Sequence, residues 1–335
     1  MIDELRSWFH SQKRDFPWRN DVSPYRVWVS EVMLQQTRAS VVIPYFLRWM
    51  ETFPTIRDLA SADEADVLKC WEGLGYYSRA RNLQKGARRI VAEFGGELPA
   101  TAENLSTIEG IGPYTVGAIL SFAFHQKAAA VDGNVMRVLS RFWGIEAPID
   151  LPATQREMRK RAQELLPEKD PWEISEALIE LGALVCGKNP QCPICPLRKE
   201  CVAKNQGLQL PNKRKKMETT HLYRTVGIVE YHGEFLVSQV EKGKVMEGLW
   251  EFPYVEREKC LEKHLGIKLF HIQDFPKQTH TFTRFKAHLF PTHWRAEKKA
   301  TAHTWKNLEE IIKLPFSSGH RRILQQLIEV CENPP

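Results

Sequence analysis

Long apolar runs are missing from this chain. Nowhere do hydrophobic residues continue for the ~20 positions that a membrane-spanning helix needs, so no membrane partner is expected. The opening stretch MIDELRSWFHSQKRDF is charged and amphipathic rather than apolar, which excludes a secretory leader and implies a reducing, cytoplasmic setting. In that setting seven cysteines suggest metal ligands or free thiols rather than disulfides. A strong charge imbalance is also lacking: the formal net charge of +6 permits nucleic-acid binding without establishing it. What remains is ordinary for a globular protein, with 43% hydrophobic and 26% charged residues. At 335 residues, two or three domains each have room for a core.

The most informative stretch runs from Leu105 to Asn134, LSTIEGIGPYTVGAILSFAFHQKAAAVDGN. It reads as helix, tight hairpin, helix and a short loop that holds one carboxylate. Thr101 is placed to cap a helix running to about Ile108. Gly110-Ile111-Gly112 turns the chain, and Pro113 sits where a helix's first residue belongs. Val116, Ile119, Leu120 and Ala123 follow at helical spacing. Backbone amides at such a helix start form a seat for phosphate. A glycine-rich turn packed for its own sake has the same sequence. Asp132 precedes the apolar run Val135, Val138, Leu139 and so reads as a helix N-cap, which is compatible with a further role.

Elsewhere, residues 1–14 form one amphipathic helix with Leu5, Trp8, Phe9 and Gln12 on one face. Pro24 opens PYRVWVSEVMLQQT, in which Val27, Trp28 and Leu34 lie three or four positions from Glu31. A carboxyl on an apolar face is costly to ionise, which suits a general acid, or equally a buried Glu bonded to the backbone. Helices are predicted over 44–50, 63–72 and 79–94. Asp170-Pro171-Trp172-Glu173 reads as a capping box, and Ile174, Ala177, Leu178, Leu181 and Leu184 as the buried stripe behind it. Cys186, Cys192, Cys195 and Cys201 lie within sixteen residues, a strong metal signal that spacing alone does not resolve between zinc and a [4Fe–4S] cluster. QGLQLPNKRKKMETTHLY is a basic linker. Beyond it TVGIVEYHGEFLVSQV is two strands around His232-Gly233, and Ser317 to Val330 closes the chain as a helix.

Several of these stretches together resemble the helix–hairpin–helix DNA glycosylases related to endonuclease III, and within them the adenine DNA glycosylases. The carriers are RDFPWR at 14–19, SEVMLQQT at 30–37, GLGYYSRAR at 73–81, the hairpin, VDGNVMRVLSR at 131–141 and the four cysteines. The resemblance implies an all-α helix–hairpin–helix region over 1–205, with a six-helix barrel over about 22–130 and a cluster subdomain from 1–21 with 131–205. A linker at 206–222 and an α/β Nudix-like domain over 223–335 follow. It implies removal of adenine mispaired with 8-oxoguanine or guanine in double-stranded DNA, by a monomer located with the chromosome. Glu31 would be the acid, Asp132 the charge that stabilises an oxocarbenium-like state, and Asn134 its orienting neighbour. Arg14, Trp18, Arg19 and Glu176 would line the pocket for the flipped base. Gln36, Thr37, Leu74 and Tyr76 would face the opposite base, with Tyr76 as the wedge. Gly110 and Gly112 would grip the backbone, and all four cysteines would hold a [4Fe–4S] cluster.

The chain departs from the family in places. Tyr114 stands where strand-cutting relatives carry a nucleophilic lysine, so little or no lyase activity is expected. Five residues separate Cys186 from Cys192 where the family usually has six. Phe282-Thr283-Arg284 stands in place of a Phe-Ser-His loop that reads 8-oxoguanine. GLWEFP at 248–253 resembles Nudix hydrolases, but no acidic run follows to hold magnesium, so diphosphate hydrolysis is not expected. The alternatives are a thymine-mismatch glycosylase and a non-catalytic Fe–S DNA-binding regulator.

Overall fold

The computed structural model describes residues 1–214, 218–282, 284–300 and 303–332. Its helices are α1 (Ile2–Gln12), α2 (Pro17–Asn20), α3 (Pro24–Leu34), α4 (Ala39–Thr52), α5 (Ile56–Ser61), α6 (Glu64–Cys70) and α7 (Ser78–Glu93). After them come α8 (Ala102–Leu105), α9 (Pro113–Ala118), α10 (Gly133–Trp143), α11 (Pro152–Leu165), α12 (Pro171–Leu184) and α13 (Val202–Gln206). The chain then turns to strands: β1 (Thr220–Tyr231), β2 (Glu234–Gln239), β3 (Trp250–Glu251) and β4 (Tyr254–Glu256). Next are α14 (Leu261–Leu265), β5 (Leu269–Asp274), β6 (Gln278–Phe282), β7 (Phe285–Ala296), β8 (Thr304–Asn307), α15 (Leu308–Lys313) and α16 (Ser318–Glu332). Two compact units result, Met1–Ser61 with Asn82–Lys216, and Ala62–Arg81 with Met217–Pro335.

The first unit is helical. Leu5 and Phe9 of α1 are fully buried against Val135 and Leu139 of α10, Met158 of α11 and Ile174, Ala177 and Leu181 of α12. Burial of this stripe, at about 25 cal/mol per Å² of apolar surface, is what holds short helices that would not persist alone. Local chemistry sets the ends. The Ser23 hydroxyl accepts from the Arg26 amide at 3.3 Å, with Pro24 beside it. Asp132 caps α10 by accepting from the Val135 amide at 2.7 Å, and Gly144 closes that helix at φ 68°. Two expectations fail. The helix capped by Thr101 stops at Leu105 instead of Ile108, because 3₁₀-type bonds from Thr107 to Asn104 and from Ile108 to Leu105 tighten it into turns. Asp170 sits at φ 49° with no capping bond from its side chain. Glu173 is drawn away to Arg6 at 2.8 Å and His10 at 3.1 Å instead of closing a capping box.

The second unit is built on a sheet ordered β3-β2-β1-β7-β5, with β4 on β1, β6 on β7 and β8 on β2. Strands β1 and β7 are parallel, and the other pairings are antiparallel. His232 (φ 48°) and Gly233 (φ 78°) make the predicted turn between β1 and β2. Alternation then sorts the side chains. Val226, Ile228, Ala287 and Leu289 pack with Ile323, Leu324 and Leu327 of α16. Val229 and Ala296 pack on the opposite face with Leu261 and Leu265 of α14. The strand-rich end expected of the sequence is present, and α16 matches the expected closing helix.

The approach of α9 to the segment before Asp132 depends on one residue. A Cβ on Gly117 would lie 2.3 Å from the Ala129 carbonyl oxygen and 2.9 Å from its carbon, both backbone atoms that have nowhere to go. The helix then continues through a single π-helical turn, Ile119–Ala123. Gly117→Ala is therefore expected to destabilise the chain by about 1–3 kcal/mol, seen as a lowered midpoint in urea unfolding. An unchanged midpoint would mean that the 129–131 segment yields.

Candidate active site

The first unit carries a cleft of about 1840 Å³. Arg14, Trp18, Arg19, Glu31, Gln36, Thr37, Gly110, Gly112, Tyr114, Asp132, Asn134 and Glu176 all line it. Residues more than 160 positions apart in sequence thus meet in one cavity.

Glu31 faces it from the middle of α3 and is 7% exposed. Burial raises its pKa from 4.5 to about 7, and nearby Glu176 and Asp132 push the same way. The Tyr114 hydroxyl donates to its Oε2 and, with Arg19, opposes the rise. The hairpin therefore delivers a phenol to the acid's own oxygen. Burial also raises the Tyr114 pKa well above its usual value, with Glu31 adding to the effect, so the phenol stays protonated.

Asp132 is also pushed up by burial, as Glu31 is. The difference is in its donors. It accepts from the Val135 amide at 2.7 Å and the Asn134 side-chain amide at 2.9 Å, and Arg137 further favours the charged form. Asn134 in turn accepts from Arg137 Nη2 at 2.9 Å. Arg137 donates onward to the Gly182 carbonyl at 2.7 Å and the Cys186 carbonyl at 2.8 Å. A hydrogen-bonded chain thus runs from the carboxylate to the first cysteine.

The opposite wall is layered. Phe16 stacks on Trp18, with centroids 4.7 Å apart and planes 19° apart, and Trp18 meets Phe46 edge-on. Trp18 is 7% exposed, so it serves the cleft as a wall more than as an open stacking face. Arg14 and Arg19 lie over the Phe16 ring at 4.9 and 5.2 Å. Both are held by Glu180, a residue the sequence reading passed over. Its carboxylate is 1% exposed and takes Arg14 Nε at 2.8 Å and Arg19 Nη1 at 2.9 Å. Glu176 reaches Arg19 Nε at 3.4 Å, and burial raises the Glu176 pKa. The available signal was two carboxylates four apart on an apolar helix, matched by two arginines five apart near the start of the chain.

At the rim, Gln36 sits at φ 57° just beyond α3, a left-handed conformation that non-glycine residues seldom hold. Gly110 needs its glycine, with φ 82° and a Cβ position 2.8 Å from Asn82 Cβ. Gly112 does not: it is extended, and a Cβ there would meet nothing within 4 Å. Leu74, Tyr76 and Phe282 belong to the second unit. Tyr76 is 47% exposed at φ 49° just after Gly75, whereas Leu74, between Gly73 and Gly75, is buried. Phe282 packs on Phe285, centroids 5.6 Å apart, and Thr283 lies outside the described residues.

Cys186, Cys192, Cys195 and Cys201 are free thiols rimming a separate void of about 320 Å³ in the first unit. Burial pushes Cys195 up to about 11, and the other three cysteines push the same way. Arg141 Nη1 stands 3.3 Å from Cys186 Sγ and 2.7 Å from the Gly187 carbonyl. Among the described residues no three His, Cys, Asp or Glu side chains gather around one point as for a single ion; the sulfurs surround an open volume.

Compared with known proteins, the chain matches the HhH-GPD superfamily of base excision DNA repair proteins over residues 29–168 and the NUDIX domain over 225–326. It is 30% identical over 343 residues to the adenine DNA glycosylase of Buchnera aphidicola subsp. Acyrthosiphon pisum (strain APS), covering 96% of this chain and 95% of that one. Against the adenine DNA glycosylase of Mus musculus it is 38% identical over 316 residues, covering 78% of this chain but only 61% of the mouse protein's length. Among solved structures, a thermostable thymine-DNA glycosylase aligns with TM-score 0.57 and 26% identity over 61% of this chain and 95% of that chain. A trapped endonuclease III–DNA covalent intermediate aligns with TM-score 0.54 and 24% identity over 62% of this chain and 95% of that chain, a likeness of fold. The first unit is endonuclease III-like, and the strand-rich end is NUDIX-like. No helix among the described residues is long and apolar enough to cross a membrane.

Glu180→Ala would remove the buried carboxylate shared by Arg14 and Arg19, leaving Arg19 only Glu176 at 3.4 Å. A loss of about 3 kcal/mol is expected in urea unfolding, with Glu180→Gln recovering part of it through a retained acceptor. Equal stability of native and Glu180→Ala chains would show that solvent already screens the arginines.

Proposed function

The chain belongs to the adenine DNA glycosylases, and from that membership we propose that it excises adenine from mispaired double-stranded DNA as a monofunctional N-glycosyl hydrolase. The observation that carries this reading is Glu31, a carboxyl buried in a cleft and raised to about 7, beside a second carboxylate held by donors. Two carboxyls in unlike hydrogen-bonding environments divide acid and charge roles between them.

Adenine is flipped into the cleft, where Arg14, Arg19 and Glu176 meet it against the wall formed by Phe16 and Trp18. Glu31 holds the proton and delivers it to N7 of the base. As the glycosidic bond loosens, Asp132 stabilises the developing oxocarbenium charge, and water completes the hydrolysis. Asn134 orients the Asp132 carboxylate. Tyr114 supports Glu31 through its hydroxyl and offers no amine, so no Schiff base forms and strand cleavage is not part of the reaction. Gly110 and Gly112 open the hairpin amides to backbone phosphate, with Gln36 and Thr37 at the rim facing the opposite base. Tyr76 supplies the wedge, with Leu74 buried beside it.

The four cysteines fit a [4Fe–4S] cluster: they rim a volume larger than a single ion needs, and Arg137 and Arg141 stand beside them with balancing charge. Bound there, the cluster would supply a rigid thiolate-ligated knot. The preferred opposite base is 8-oxoguanine, with guanine tolerated. Thr283 would keep a hydroxyl for the lesion's edge. Arg284, its guanidinium 5.2 Å over Phe285, favours phosphate over discrimination, so the preference is weaker than in relatives with a Ser-His pair.

Single-turnover excision from duplexes carrying adenine opposite 8-oxoguanine, adenine opposite guanine, and thymine opposite guanine is the test. Adenine should leave both mispairs, faster opposite 8-oxoguanine, and thymine should be retained. Glu31→Gln should lower adenine release by about a hundred- to ten-thousandfold while duplex binding persists. Release of thymine would make this a thymine-mismatch enzyme. Binding without release of either base would make it a regulator.

A further inference from the structure

Strands β1 and β7 run parallel in a register that sets His221 opposite Lys286, Tyr223 opposite His288 and Thr225 opposite Phe290. These six positions have the same alternation as Val229 and Ala296, so they share the sheet face that α14 covers at its other end. Tyr223 is 48% exposed and His221 is exposed. The neighbours on β6 are Thr281 beside Lys286 and Thr279 beside His288, both small and exposed.

Two of the rings lie edge to edge and a third stacks on one of them. His221 Nδ1 and His288 Nε2 are 3.0 Å apart, the ring centroids 5.3 Å and the planes 17° apart, which puts the two imidazoles edge to edge. Tyr223 lies 12° from the plane of His288 with centroids 4.8 Å apart, an offset parallel overlap. Cations surround this surface. Burial lowers the His288 pKa, and the ammonium groups of Lys277 and Lys286 act in the same direction. Arg257 stands 3.9 Å over the Phe290 ring and Lys277 5.2 Å from it. The exposed outer ring of Tyr223 extends an existing stack and offers its π-face to a base, and flanking cations offer charge to the phosphates on either side of it. Stacking of this kind is tolerant of sequence.

We infer that the face around Tyr223, His221 and the half-buried His288, bordered by the Arg257-capped Phe290, is a stacking platform for single-stranded DNA. Charge complementarity selects a polyanion, and the flat rings select unpaired bases over a duplex, whose bases are already stacked. This surface belongs to the second unit and the excision cleft to the first, and the inference does not depend on which base is excised there.

The probe is a twelve-nucleotide single strand carrying 5-iododeoxyuridine, irradiated with the full chain and mapped by mass spectrometry, with affinity followed by fluorescence anisotropy. Adducts are expected on the tryptic peptides that carry Tyr223 and His288. Tyr223→Ala combined with His288→Ala should weaken single-strand binding about tenfold, and Tyr223→Phe should retain it because the ring remains. Lys286→Ala should weaken it less and lower its salt dependence. Mispaired-duplex binding and adenine release should stay at native levels in all of these variants. Adducts confined to other peptides, or native single-strand affinity in a double variant that melts like the native chain, would overturn the proposal.

Discussion

A single withdrawn carboxyl sets the terms for the first unit. Glu31 sits on a helix whose other inward positions are Val27, Trp28 and Val32, all buried, and water cannot stabilise its charge there. Ionising it would place a third negative group near Asp132 and Glu176, which resist it further. The surrounding polar groups answer that constraint. Tyr114 supplies a neutral donor in place of a cation. Arg19, the cation nearest in effect, is tied to Glu180 and Glu176 and so cannot fully neutralise Glu31. Had Arg19 been free to pair with Glu31, the acid would titrate as an ordinary carboxylate.

The second carboxylate depends on backbone packing. Asp132 begins α10, and its position follows from two close approaches: α9 against the Ala129 carbonyl at Gly117, and α12 against Asn134 at Gly182, where a Cβ would lie 2.7 Å from Asn134 Cβ. Arg137 then connects Asn134 to the carbonyls of Gly182 and Cys186. Two short helices and the cysteine loop thereby fix a carboxylate that its own helix would only cap. Such buried networks rigidify when every member is satisfied, which is the condition met here.

Much of this was legible in the sequence because it is local. Pro24 and Asp132 announce their helices, His232-Gly233 its hairpin, and the apolar neighbours of Glu31 lie within one turn of it. Asp170 misled because its own backbone is left-handed, a conformation that no side-chain pattern encodes, and because Arg6 and His10, distant in sequence, claim Glu173. Glu180 was hidden for a similar reason: a carboxylate in an apolar stripe is explained only once Arg14 and Arg19 arrive from the other end of the chain. The π-helical turn after α9 left no mark in the residue types. The ring surface of the second unit was equally invisible, since it needs the parallel register of strands 65 positions apart. The resemblance to adenine DNA glycosylases supplied roles for single residues, and the cleft brings most of them to one place.

The central claim is that burial keeps Glu31 protonated near neutrality so that its proton is available to the departing base. The most direct measurement is the single-turnover rate of adenine release as a function of pH, with mispaired duplex saturating throughout. An acid with a value of about 7 is protonated below it, so the rate should be level just below 7, drop at lower pH only where Asp132 takes up a proton, and fall about tenfold per pH unit above 7. A fall that begins near 4.5, the ordinary carboxyl value, or a rate that climbs through pH 7, would contradict the account.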